Sequence, residues 1–220
     1  MKKSFCSVFM FMIIFCSESL FAQGNNSKEF KLTGDIRTGT GFAPLFGLKT
    51  SESWSEYYSF DIKHKSGLGL GAYRFNDFQE KGLGKIGFFD LYWSGNLAKN
   101  ISLYSALEYG FFDNDKQSSF YCPYIIFSLS TSLVNFDFSP MYCYYDKQGS
   151  DQFVFRFRLT KEIYKGGMIR LSGWYNSLIE NKVYGAVGFT QQLPRNFYLQ
   201  GDVLFREGKT QPILCLGYKF

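Results

Sequence analysis

The chain has 220 residues, 20 % of them aromatic and 22 of them glycine, with a formal net charge of +5. That charge is mild and is not gathered into a basic run, so no nucleic-acid partner is expected. After the first two dozen residues no segment stays apolar for the ~20 residues that a membrane helix needs, which excludes a helical membrane protein.

Met1 to Ala22 reads as a secretion signal. Lys2 and Lys3 precede an apolar run from Phe5 to Phe15, and small and polar residues lead to Leu20-Phe-Ala22 and Gln23. The apolar run is too short to span a bilayer, so removal of 1–22 is expected, with 23–220 as one domain. Cys16 follows the bulky Phe15, which argues against lipid attachment there.

Turn signals then divide the chain into twelve short strands, near 29–41, 56–63, 67–77, 83–96, 100–112, 119–132, 135–146, 152–164, 168–179, 183–193, 196–206 and 212–220. The second and third are the least marked, because only His64-Lys-Ser-Gly67 separates them; without that hairpin the count is ten. Leu97-Ala-Lys-Asn-Ile-Ser-Leu103 and Leu193-Pro-Arg-Asn-Phe-Tyr-Leu199 share one plan and are read as the same tight turn, with Asn100 and Asn196 left-handed. Leu133 to Phe136 and Tyr164 to Met168 occupy the turns between them. These four sites recur at the spacing of two strands and belong at one end. The opposite connections are Phe42 to Ser55, Phe78 to Gly82, Asp113 to Ser118, Lys147 to Asp151, Glu180 to Lys182 and Glu207 to Gln211. The first alone is long. It contains Ala43-Pro-Leu-Phe46 and Trp54, and would either fold over a mouth or lie as a solvated loop.

The final segment alternates. Leu214, Leu216, Tyr218 and Phe220 share one face, and Ile213, Cys215, Gly217 and Lys219 the other. Carried backwards, the apolar face takes Phe197, Leu199, Val203 and Phe205; Val183, Val187 and Phe189; Ile169, Leu171 and Tyr175; and Phe153, Phe155, Phe157 and Leu159. The opposite face takes Lys31, Arg37, Lys63, Arg156, Arg158, Arg170, Arg206 and Lys219 against Asp35, Asp61, Asp90, Glu108, Asp137, Glu162 and Asp202. A soluble sandwich also alternates. The export signal and the terminal aromatics favour an all-β fold closed as a single antiparallel transmembrane barrel, with the charges inside and lipid outside.

The exported leader, the alternating strands and the ending Gly217-Tyr-Lys-Phe220 resemble bacterial outer-membrane β-barrel proteins of the small porin-like kind, over the whole mature chain. The resemblance implies outer-membrane lipid around the wall, periplasmic turns with external loops, and reading of Tyr218 and Phe220 by the outer-membrane assembly machinery. That class holds passive channels, surface-binding or structural barrels and lipid-modifying enzymes. A narrow channel for small polar or anionic solutes is the first expectation, a barrel with a filled lumen the second, and an enzyme the third. Enzymes of this kind need a base, and the only histidine, His64, sits between Lys63 and Lys65 in a turn at the wrong end. No pair of carboxylates shows ligand spacing, so no catalytic, metal or cofactor site is expected. Arg156, Arg158, Arg170 and Arg206 are the candidate anion contacts; a structural network joining such arginines to Asp90, Glu108, Asp137, Glu162 and Asp202 is the competing role. Twelve strands lie between the ~8 of a filled barrel and the ~16 of an open porin, so conduction should be modest. Cys122 and Cys143 share a face on neighbouring strands and are candidates for a disulfide, and export permits one.

Overall fold

The structure is a computed structural model that describes residues 29–42, 51–78, 85–112, 119–146, 150–177, 182–206 and 208–220. The leader expected over 1–22 and the segment Ala43 to Phe46 lie outside the described residues. Twelve strands follow in chain order: β1 (Phe30–Phe42), β2 (Ser51–His64), β3 (Leu68–Asp77), β4 (Lys85–Ala98), β5 (Ile101–Phe112), β6 (Phe120–Ser130), β7 (Asn135–Tyr145), β8 (Ser150–Tyr164), β9 (Gly167–Asn176), β10 (Lys182–Gln192), β11 (Phe197–Arg206) and β12 (Lys209–Lys219). They close into one barrel in which each strand neighbours the next and β1 pairs antiparallel with β12. The doubtful hairpin is real. Gly67, at φ 95°, turns β2 into β3, and its amide donates to the His64 carbonyl at 3.0 Å.

Two expectations need correction. The strands at the loop end run further than the apolar pattern does: β2 begins at Ser51 and β12 at Lys209. Ladder hydrogen bonding sustains a strand through polar sequence such as Ser51-Glu-Ser53, so side-chain alternation underestimates its length. Trp54 therefore belongs to a strand, outward and exposed, and not to the first loop. The two Leu-x-basic-Asn turns also differ. Among the described residues only Arg195 (φ 57°) and Asn196 (φ 64°) are left-handed without being glycine. At Lys99-Asn100 a bulge between Asn96 and Ala98 shifts the register instead, and the chain reverses without a left-handed residue.

Lys31 of β1 and Lys219 of β12 lie at the rim that carries the short turns. The outward face is apolar. Phe153, Phe155 and Phe157 of β8, Ile169 and Leu171 of β9, Phe197, Leu199, Val203 and Phe205 of β11, and Leu214 and Leu216 of β12 are all exposed, as the alternation requires. The Val183 side chain is not among those described. Inward positions are covered. Toward the loop rim of β3 to β8 they pack as an apolar cluster around Phe75, Ile86, Phe120, Met141 and Val154, and a second cluster gathers Trp174, Tyr184, Leu204 and Ile213.

Several glycines and aromatics are paired. Rings lie against the backbone where a Cβ would otherwise stand: Phe120 at Gly110, Tyr198 at Gly217, and Phe220 at Gly34. The last of these closes the seam. Gly34 donates to the Phe220 carbonyl at 3.0 Å and Phe220 donates back at 3.1 Å, so ring and backbone together join β12 to β1.

Candidate functional site in the barrel lumen

Strand pairing sorts the inward residues into rows that run around the wall, and it brings together residues far apart in sequence. One row holds Asp61, Gly71, Asp90, Glu108 and Cys122, and continues through Cys143 to Gln152. Cys122 and Cys143 face each other across β6 and β7 and are joined as a disulfide. Another row sets Arg156 between Ser139 and Trp174. A third sets Gly188 between Arg170 and Asp202, and a fourth sets Gly217 between Tyr198 and Arg37.

Most inward arginines are neutralised in place. Arg158 donates to Asp137 Oδ2 from Nη2 at 2.6 Å and from Nε at 2.8 Å. Arg170 reaches Asp202 over the bare backbone of Gly188, and Gln200 donates to the other Asp202 oxygen at 2.7 Å. Arg37 pairs with Asp35 at 3.0 Å and lies over the Tyr57 ring at 4.4 Å, while Tyr198 crosses Gly217 to donate to Asp35 at 2.7 Å. Arg156 differs. Among the described residues its guanidinium makes no hydrogen bond and no ion pair, although Arg158, Asp137 and Tyr124 lie within its electrostatic reach. Beside it the buried Ser139 hydroxyl is also without a partner.

The expected anion patch is thus divided: Arg158 and Arg170 are committed to carboxylates and Arg156 is available. Arg206 belongs to β11, but its side chain lies outside the described residues. Glu162 sits at the turn rim, where it accepts the Gly166 amide at 3.1 Å, and among the described residues no arginine pairs with it. His64 lies in its turn with Nδ1 2.9 Å from Ser66 Oγ. Tyr218 stacks with Phe220, centroids 6.3 Å apart, at the terminal girdle.

The sequence reading missed the tyrosines. Tyr92, Tyr104 and Tyr124 stack in a ladder across β4, β5 and β6 with centroids 4.8 and 5.7 Å apart. Tyr124 and Tyr104 both donate to Asp90 Oδ2, at 2.6 and 3.1 Å, and Tyr73 donates to Asp61 at 2.8 Å. Their parity matches that of the inward charges, and this was the signal available to find them.

A closed wall of twelve strands, an apolar outer face and a lumen lined with charges and hydroxyls define the architecture of a small outer-membrane β-barrel of the porin type. The solved structures that it resembles are of that kind. The chain superposes on the KdgM porin with a TM-score of 0.67 at 10 % identity, covering 86 % of this chain and 99 % of that one. The KdgM porin in complex with disordered oligogalacturonate gives 0.66, and the NanC porin gives 0.58 at 13 % identity over 85 % of this chain and 98 % of that one. At such identities the likeness is one of fold. No protein-family model matches the sequence, and no curated protein matches it either.

Proposed function

We propose that the protein is a narrow channel of the bacterial outer membrane for small anionic or polar solutes, with Arg156 as the contact that a passing anion meets. Arg156 carries the reading, because it is the inward guanidinium left uncommitted among the described residues, and Ser139 beside it offers a second donor. The other arginines are held by Asp35, Asp137 and Asp202 and keep the polar wall in shape. A guanidinium in a bore walled by low dielectric attracts anions and raises their local concentration. That the KdgM porin is seen with oligogalacturonate, an anionic solute, supports the same class of cargo.

In planar bilayers the folded protein should conduct weakly and prefer chloride over potassium. Two unit charges ~4 Å apart in water interact by about 1 kcal/mol, so Arg156→Gln should lower that preference by about fivefold while leaving assembly intact. A folded wild-type protein with neither conductance nor solute uptake into liposomes overturns the channel. The filled barrel then takes its place, a reading that the packed apolar cluster of β3 to β8 and the three neutralised arginines favour.

Export through the leader at 1–22, with the turn rim in the periplasm and the loop rim outside, belongs to the same proposal. A tag at Lys99 should stay hidden on intact cells and become accessible when the outer membrane is permeabilised. Labelling without permeabilisation reverses the orientation.

A further inference from the structure

We infer that the outer wall of β2, β3 and β4 near the loop rim is a docking surface for a phosphorylated glycolipid of the outer leaflet, of the lipopolysaccharide class. Strand parity sets Glu56 and Tyr58 of β2, Arg74 and Asn76 of β3, and Lys85 of β4 on the outward face, the face on which Leu70 and Phe89 are exposed. Register joins them into one patch. Tyr58 stands opposite Arg74, and Asn76 lies between Glu56 and Lys85. Tyr58 donates to Glu56 Oε2 at 2.6 Å, and Arg74 Nε donates to Asn76 Oδ1 at 3.3 Å.

The place of these charges is what points to a ligand. Among the described side chains of the twelve strands, the outward face carries no other charge except Lys161, which lies beside a short turn. A charge turned toward lipid is destabilising, and a lipid phosphate supplies the counter-charge that removes the cost. Two cations stand against one acid, Glu56, which already accepts from Tyr58.

The patch is also the middle of three tiers. Toward the membrane centre the next outward positions are Phe60, Ala72 and Phe89, which are apolar. Toward the loop rim come Trp54 and Phe78, 54 % and 56 % exposed, linked by the Phe78 amide donating to the Trp54 carbonyl at 3.3 Å. Apolar, cationic and aromatic tiers follow the order of acyl chain, phosphate and sugar ring in such a glycolipid. A guanidinium suits a phosphate, Lys85 adds a second cation, and the broad apolar faces of Trp and Phe suit the carbon face of a sugar. A simple phospholipid ends at the phosphate and leaves the aromatic tier uncovered. A second copy of the chain fits less well, because the described outward side chains offer no acid besides Glu56 to meet Arg74 and Lys85. In the cell the surface meets this lipid only with the loop rim outside, as proposed above, whereas binding in detergent depends neither on orientation nor on conduction.

Native mass spectrometry of the folded protein in non-ionic detergent, titrated with deep-rough lipopolysaccharide, reads the bound lipid directly. The wild type should retain one molecule per chain, and the same lipid stripped of its phosphates should bind about tenfold more weakly. Arg74→Gln combined with Lys85→Gln, still running as the heat-modifiable form, should weaken binding by about tenfold, while Lys161→Gln should leave it unchanged. Trp54→Ala should weaken the glycolipid and leave phosphatidylglycerol unaffected. No adduct on the wild type, equal binding of the dephosphorylated lipid, unchanged binding in the folded double variant, or an equal loss in Lys161→Gln overturns the site. Phosphatidylglycerol held as tightly as the glycolipid overturns the choice of lipid, and a lipid-free dimer that the double variant abolishes overturns it in favour of a second copy.

Discussion

Removing the Asp202 carboxylate tests the lumen network at its most constrained point. Arg170 reaches it from two strands away, and the two side chains are only 20 % and 11 % exposed. Asp202→Ala leaves that guanidinium uncompensated and also strips Gln200 of its acceptor. Losing one partner of a buried pair costs about 3 to 5 kcal/mol, and water in the lumen favours the low end. A loss of about 3 kcal/mol is roughly a 150-fold shift in the folding equilibrium. Gly188→Ala reaches the same bond without removing a charge, because its methyl would stand where an Asp202 oxygen lies, and should cost about 1 to 3 kcal/mol. The double replacement Arg170→Ala, Asp202→Ala leaves no stranded charge and should recover most of the loss. Urea titration in lipid vesicles, read by the heat-modifiable band, measures all four proteins. In bilayers Asp202→Ala should raise anion preference, since Arg170 would join Arg156 as an uncommitted cation. A single variant within about 0.5 kcal/mol of wild type, with a double variant no better than the single, would refute the reasoning.

Deleting Phe220 removes two backbone hydrogen bonds of about 1 kcal/mol each and the ring over Gly34, so the yield of assembled, protease-resistant barrel should fall severalfold; normal yield would show that the seam closes without it. Reducing the Cys122–Cys143 bond, or replacing both residues with Ser, frees a loop spanning a sequence separation of 21 and should cost about 2 to 3 kcal/mol in urea, whereas maleimide labelling of both thiols in the oxidised folded protein would contradict the bond itself.

The wall was legible in the sequence because its rule is local. Period-two alternation in segments such as Phe153 to Leu159 and Ile213 to Phe220 places every side chain in or out, and a one-residue error would expose the whole pattern. The site was legible only in part. Parity put Arg156, Arg158, Asp90 and Glu108 inside, but which of them meet depends on register between strands, and turn lengths near Asn96 and Ala98 are altered by a bulge that no composition reveals. Arg158 and Arg156 are two residues apart and read alike, yet only Arg158 has a carboxylate opposite it, at Asp137. The tyrosine ladder escaped because inward aromatics look like ordinary packing until three strands are aligned.

The contacts that vault over a glycine also settle a question that alternation cannot. A slip of one residue turns a strand inside out and is excluded by burial, but a slip of two keeps every face correct. Around β10 such a slip would bring Ala186 or Thr190 beneath the Arg170–Asp202 bridge in place of Gly188. Around β12 it would bring Cys215 or Lys219 beneath Tyr198 in place of Gly217. Only one alignment leaves bare backbone under both spans, so the lumen contacts act as a vernier that fixes the pitch of the wall.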